Sequence, residues 1–313
     1  MKRSLVALLL LVSAAAARAA DTADLVPLTE LGKRQYKDYE GGLYPDGKNQ
    51  RPEPHEKAGV LLARQIKPLD AQGMPSEHGK IVLLSIGMSN TTQEFSAFMQ
   101  LARGEPQKNP KLVIVDGAQG GMTAARISEP DQTGGSRFWT MVDDRLKAAS
   151  VSRAQVQAAW IKEADAQPTA AFPKHAQILQ EELEKVVRLM HSRFPNLKVV
   201  YLSSRIYGGY ARSRLNPEPF AYESAFAVKW LIEKQIKGDQ DLKEPWLSWG
   251  PYLWANGMSK RGDGLIYEER DFGNDGTHPS QSGREKVARQ LLDFFRTDST
   301  ARPWFMKTEG KVE

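Results

Sequence analysis

The chain has 313 residues, enough for one large α/β domain with a sizeable core or for two small ones. Its 41% hydrophobic and 26% charged residues exclude a disordered or collagen-like chain. Of its 43 basic residues three, Lys2, Arg3 and Arg18, lie in the leader read next, so the remaining 40 nearly balance the 38 acidic ones and carry no nucleic-acid signature.

Lys2-Arg3 opens a stretch that continues with an unbroken apolar run, Leu5 to Val12, and ends in Ala17-Arg18-Ala19, a small-x-small cleavage pattern. Residues 1–19 therefore read as a cleaved secretory signal peptide. The apolar run is far shorter than the roughly 20 residues a membrane-spanning helix needs. The absence of cysteine excludes disulfides, a thiolate metal site and a lipidated cysteine behind the leader. A secreted or periplasmic protein without stable membrane insertion is expected, stabilised by a conventional core.

Residues 20–79 are rich in Pro, Gly, Lys and Glu with little sustained periodicity, and read as an extension wrapping the domain that follows. From Lys80, apolar runs of strand length alternate with amphipathic stretches of helix length. In order these are Ile81–Ile86, Glu94–Arg103, Leu112–Val115, Phe138–Ala149, Gln155–Ile161, Pro173–Arg193, Leu197–Ser203, Ala221–Lys237 and Ser280–Arg296. Leu179, Leu183, Val186 and Met190 form one helical stripe, and Val287, Leu291 and Phe294 another. Strands without polar alternation are covered on both faces, so residues 80–313 are expected to form an α/β domain with a parallel sheet.

In such a sheet the ligand site lies at the carboxyl ends of the strands. After the first strand comes Gly87-Met88-Ser89-Asn90-Thr91, where Ser89 is either a nucleophile held outward or the N-cap of a helix beginning near Gln93. After the second comes Asp116-Gly117-Ala118-Gln119-Gly120-Gly121, whose glycines can present N–H groups to an oxyanion or simply serve a turn; it matches no phosphate-cradling loop. Before the last helix lies Asn274-Asp275-Gly276-Thr277-His278-Pro279-Ser280. There a carboxylate three residues from an imidazole can fix its tautomer and stabilise its protonated form, with Ser280 as the helix cap. His55, His78, His175 and His191 show no metal-ligand spacing and read as structural or surface residues.

Asp275-x-x-His278-Pro279, followed by Ser280, Gly283 and a terminal helix, resembles the last block of the SGNH (GDSL-type) hydrolases. Gly87-Met88-Ser89-Asn90 resembles their first block in the form found in the carbohydrate esterase and sialate acetylesterase branch, and Gly120, or Gly121 in another alignment, matches the glycine of the second. The resemblance spans about Lys80 to Arg296 and implies a three-layer α/β/α, flavodoxin-like fold. It also implies Ser89 as nucleophile, His278 as general base and then acid, Asp275 as its orienter, and an oxyanion hole from the N–H groups of Ser89 and Gly120. No metal or organic cofactor is implied. The third block departs from the family: Trp160-Ile161-Lys162-Glu163-Ala164-Asp165 stands where an oxyanion-hole asparagine is usual. Lys162 then either donates to the oxyanion or pairs with Glu163 or Asp165, and Asn90 is an alternative donor.

Residues 218–269 read as an aromatic-rich insertion with Trp230, Trp246, Trp249, Tyr252 and Trp254, a sugar platform or ordinary packing. Arg205, Arg212 and Arg214 follow the fourth strand and can meet an acidic group or line a solvated loop; Arg261-Gly262-Asp263 reads as a turn. The sequence thus points to a secreted serine esterase acting on an acylated, for instance acetylated, carbohydrate, with Trp249, Trp254 and Arg205 as candidate binding residues. The alternatives are a carbohydrate-binding or accessory protein of the same fold, and a general short-chain esterase or lipase.

Overall fold

The run Ile81–Gly87 contains one polar side chain, Ser85, and every residue in it is buried, as the corresponding run Val156–Lys162 is. Strands with no solvent face need helices on both sides. The computed structural model describes residues 22 and 24–307, so the leader read at residues 1–19 lies outside them. The described chain begins with helix α1 (Leu28–Leu31), the short strands β1 (Gln35–Tyr36) and β2 (Tyr39–Glu40), and helix α2 (Glu53–Ala63). It continues with β3 (Ile81–Gly87), α3 (Ser89–Arg103), β4 (Leu112–Asp116), α4 (Ala124–Ile127), α5 (Thr133–Ala148) and β5 (Val156–Lys162). After these come α6 (Lys174–Arg193), β6 (Val199–Ser203), α7 (Phe220–Ile236), β7 (Trp246–Trp249), α8 (Gln281–Thr297) and α9 (Arg302–Phe305).

The five long-range strands form one parallel sheet in the order β4-β3-β5-β6-β7. Helices α3 and α8 pack on each other, as do α6 and α7, with α4 bridging α5 and α6. This is a three-layer α/β/α arrangement, as the sequence leads one to expect. The strand order reverses between β3 and β5, and the loops leaving these strands diverge there to open a crevice at their carboxyl ends.

Helix positions follow the apolar stripes. In α6 the buried residues include Leu179, Leu183, Val186 and Met190. In α8 the stripe runs through Val287, Leu291 and Phe295, with Phe294 only partly buried, a one-residue shift from the sequence reading.

Residues 218–269 are not an insertion. They hold α7 and the fifth strand β7, one further α/β crossover of the same sheet. Its four residues, Trp-Leu-Ser-Trp, lack the β-branched run that marks the other strands, which hid it. The aromatic side chains are core: Trp249 and Trp254 are buried, with their indole N–H groups donating to the Leu43 carbonyl and the Glu218 carboxylate, both at 2.7 Å. A sugar platform at these two residues is therefore ruled out by burial.

The stretch before the sheet is held by buried polar contacts. Leu28 N–H donates to the Tyr252 hydroxyl at 3.1 Å. The buried Lys229 ammonium on α7 donates to the carbonyls of Gly41, Gly42 and Tyr44 at 2.7, 3.3 and 3.1 Å, with Glu233 one turn on at 3.1 Å. Replacing Lys229 by Met leaves these carbonyls without a donor. Lys229→Met is expected to cost about 2–3 kcal/mol in urea denaturation and to raise hydrogen exchange selectively across residues 39–48.

Candidate active site

Helix α3 begins at Ser89 itself, after an extended Met88 with φ −101° and ψ −160°, so Ser89 is the first helical residue and not a cap for a later start. It leaves the buried strand β3 through Gly87, where the backbone is too crowded for a side chain. A Cβ there would come within 2.3 Å of the Lys162 carbonyl oxygen and 2.4 Å of Thr91 Oγ1. Thr91 uses the close approach to donate its hydroxyl to that carbonyl at 2.5 Å, tying the first turn of α3 to the end of β5. Ser89 is thereby held, half-buried, at the positive end of a 15-residue helix.

The loop ahead of α8 brings the second and third groups. Ser89 Oγ lies 2.8 Å from His278 Nε2, and His278 Nδ1 lies 2.5 Å from Asp275 Oδ2. Asp275 Oδ1 also accepts the backbone N–H groups of Thr277 and His278, each at 3.0 Å. Burial pushes Asp275 up, but the hydrogen bonds from the His278 ring and the two N–H groups outweigh it and hold the carboxyl below its ordinary range. An ionised Asp275 accepts from Nδ1–H, which leaves Nε2 with a lone pair facing the serine hydroxyl. Gly276 makes the turn possible: its φ is +65°, and a Cβ would lie 1.8 Å from the Tyr210 carbonyl oxygen. Ser280 stands at the cap position of α8, but its hydroxyl donates to the Arg270 carbonyl and caps nothing.

The glycine-rich loop after β4 is fastened by Gln119 N–H donating to the Gly87 carbonyl at 2.9 Å. Asp116 beneath it accepts Ser85 Oγ–H at 2.5 Å and Ala118 N–H at 3.1 Å. This sets Gly120 beside Ser89, where a Cβ would lie 3.9 Å from that of the serine, whereas Gly121 faces Arg126. The Gly120 N–H has no partner among the described residues.

Three expectations are corrected here. Lys162 sits opposite Gly87 in the sheet register, but its ammonium turns inward to Glu94, at 2.6 and 2.5 Å from the two carboxylate oxygens, in a pair with no solvent exposure. Burial, reinforced by Arg205, draws Lys162 down to about 8 against the pull of Glu94. It is neither an oxyanion donor nor a partner of Glu163 or Asp165. Asn90 is also buried and donates its amide to the Thr277 carbonyl at 2.9 Å, tying the serine helix to the histidine loop instead of facing the oxyanion. Arg205 is 2% exposed, beneath the site, and meets no ligand surface. Arg212 pairs at the surface with Glu269 and Arg214 is exposed. Arg261 is buried against Asp263 and the Tyr252 and Trp254 carbonyls, and His55 stacks on Trp246.

Glu94 was missed by sequence reasoning, although a signal exists. It falls on the buried stripe of α3 with Asn90, Thr91, Phe95 and Phe98, and an acidic residue at a core position calls for a buried cation. A cavity of about 700 Å³ opens beside Ser89 and His278, lined also by Met88, Gly121, Leu179 and Phe220. No group of three or more metal-binding side chains occurs among the described residues.

Among solved structures, the chain is similar to a protein from Slackia heliotrinireducens assigned to the SGNH hydrolases, at 16% identity and a TM-score of 0.39, covering 69% of this chain and 99% of that one. It is similar to an alpha/beta hydrolase enzyme from the metagenome of Lake Arreo, Spain, at 12% identity and a TM-score of 0.39, covering 73% and 99%. A third is the periplasmic domain of a lipopolysaccharide acetyltransferase from Salmonella Paratyphi A, at 10% identity and a TM-score of 0.40, covering 77% and 95%. These neighbours are SGNH-like and α/β hydrolase-like proteins. No family model and no curated protein matches the chain. The functional reading rests on the geometry of the chain's own side chains.

The buried pair makes a sharp expectation. Lys162→Met leaves the buried Glu94 carboxyl without its partner, and is expected to cost about 3–5 kcal/mol in chemical denaturation, whereas Lys162→Met with Glu94→Gln recovers most of that loss.

Proposed function

We propose that this protein is a secreted serine ester hydrolase working through an acyl-serine intermediate, with acylated carbohydrate as its substrate class. The observation that carries the reading is the unbroken hydrogen-bond chain from Ser89 Oγ through His278 to Asp275 at the mouth of an open cavity.

In the first half-reaction Ser89 Oγ attacks the ester carbonyl carbon and its proton passes to His278 Nε2, while Asp275 stabilises the resulting imidazolium through Nδ1–H. The carbonyl oxygen, now negative, is met by the N–H groups of Ser89 and Gly120. As the carbon–oxygen bond to the alcohol breaks, His278 returns the proton to the leaving oxygen, and an acyl ester on Ser89 remains. A water molecule then attacks that ester as His278 takes its proton, and Ser89 leaves with the proton from the ring. Every proton in the cycle is handled by His278, so these steps require no cofactor.

Export rests on the Lys2-Arg3, Leu5–Val12 and Ala17-x-Ala19 pattern, and no helix among the described residues is long and apolar enough to cross a membrane. N-terminal sequencing of material exported by a bacterial host is expected to begin at about Ala20; recovery of Met1 would remove this part of the reading.

A fluorophosphonate probe is expected to label the folded protein on Ser89 alone, because only a serine beside a general base is activated. Ser89→Ala abolishes labelling. His278→Ala is expected to lower kcat on p-nitrophenyl acetate by on the order of a thousandfold or more, with a smaller loss for Asp275→Ala, which keeps the base but not its orientation. Folded protein that takes no label supports a binding protein instead.

A further inference from the structure

Away from Ser89, the cavity runs between the loop after β5 and the first turn of α6, and two side chains on that wall have polar atoms with nothing to bind. Asn216 is 4% exposed. Its Nδ2 donates to the Asp165 carbonyl at 3.1 Å, which identifies the nitrogen end of the amide, and its Oδ1 has no partner among the described residues. His175 lines the same wall, its ring edge-on to Phe220 with centroids 4.9 Å apart.

The proton on His175 Nε2 follows from what lies behind the ring. His175 Nε2 is 2.6 Å from Glu223 Oε2, while Glu223 Oε1 accepts the Tyr36 hydroxyl at 2.6 Å and the Lys37 ammonium at 2.9 Å. Burial pushes Glu223 up, but the hydrogen bonds from His175, Tyr36 and Lys37 outweigh it and keep the carboxylate ionised. An ionised carboxylate has no proton to give, so the proton between the two groups sits on Nε2. Nδ1, on the other side of the ring, has no partner among the described residues and can meet a hydroxyl, which both donates and accepts.

The wall therefore offers two unpartnered polar atoms, and the nearby Ser224 hydroxyl is already engaged with the Ala221 carbonyl at 2.6 Å and the Arg205 N–H at 3.3 Å. Buried polar atoms without partners are unfavourable, and a ligand carrying hydroxyl groups relieves them. Leu215 and Phe220 add apolar surface of the kind that packs on the C–H face of a sugar ring.

We infer that this wall is the alcohol subsite of the proposed esterase, where Asn216 Oδ1 accepts a hydrogen bond from one hydroxyl of a sugar or polyol and His175 Nδ1 pairs with another. The inference rests on the ester hydrolase reading for the direction of the ester, but binding of the alcohol can be measured without turnover.

The test compares wild type, His175→Phe and Asn216→Leu. Titration calorimetry uses methyl glucoside, methyl galactoside and methyl xyloside; kcat/KM is measured on their monoacetates and on p-nitrophenyl acetate, with melting curves as the check of folding. At least one glycoside is expected to bind wild type and to bind each variant about tenfold more weakly, the factor for one lost hydrogen bond. Its monoacetate is expected to lose about tenfold more kcat/KM than p-nitrophenyl acetate does. Folded variants that bind the glycosides as wild type does, or that lose both ester activities equally, overturn the subsite. So does a wild type that binds none of the three glycosides, and that result stands even if a variant does not fold. Glycoside binding with no turnover of any ester keeps the subsite and removes the hydrolase reading; turnover of p-nitrophenyl acetate without glycoside binding does the reverse.

Discussion

The contact between the ends of β3 and β5 is the constraint on which the site depends. Gly87 has no side chain, so the Lys162 carbonyl and the Thr91 hydroxyl can meet across the space a Cβ would fill. That hydrogen bond ties the first turn of α3 to the end of β5, and Gln119 N–H donates to the Gly87 carbonyl. One crowded glycine therefore places both the serine and the loop carrying Gly120. Any larger residue at 87 would have to move either the helix or the neighbouring strand, and both carry parts of the site.

A second layer of polar contacts holds these parts in relation to one another. Asn90 ties the helix of Ser89 to the Thr277 carbonyl, next to His278. One turn deeper, Glu94 reaches across to Lys162. Buried ion pairs contribute little net stability because desolvation offsets attraction, yet losing one partner is expensive. The pair between α3 and β5 joins the helix of Ser89 to the neighbouring strand, with both charges fully buried. Arg205 and Glu163 sit nearby, also buried, so the interior beneath Ser89 holds polar side chains where a core is ordinarily apolar.

The same economy appears at the other end of the cavity. Glu223 is sealed behind His175 by Tyr36 and Lys37, residues from the short hairpin that precedes the sheet. The early part of the chain is thus linked to the state of a ring that lines the cavity. The buried Lys229 performs a related task for the segment that follows the hairpin, gathering three carbonyls that no strand or helix satisfies.

Strand and helix alternation, the apolar stripes of α6 and α8, and the Asp275-x-x-His278 spacing were legible because each depends on residues close in the chain. The α/β class with a parallel sheet follows from such local patterns, and so does the position of each loop at a carboxyl strand end. The strand β7 was hidden because two tryptophans in a four-residue run look like loop aromatics until a neighbouring strand pairs with them. The partner of Lys162 was hidden for a different reason: Glu163 and Asp165 are near in sequence, but their backbone directions point their carboxylates elsewhere, and Glu94 reaches the ammonium only after β5 and α3 have packed. Local pattern by itself determined the long strands and helices from Lys80 onward, β7 excepted, and the loops that carry Ser89, Gly120 and His278. Only the tertiary structure decided which charged groups meet and which aromatics are core, because side-chain pairing depends on the packing of elements that lie far apart along the chain.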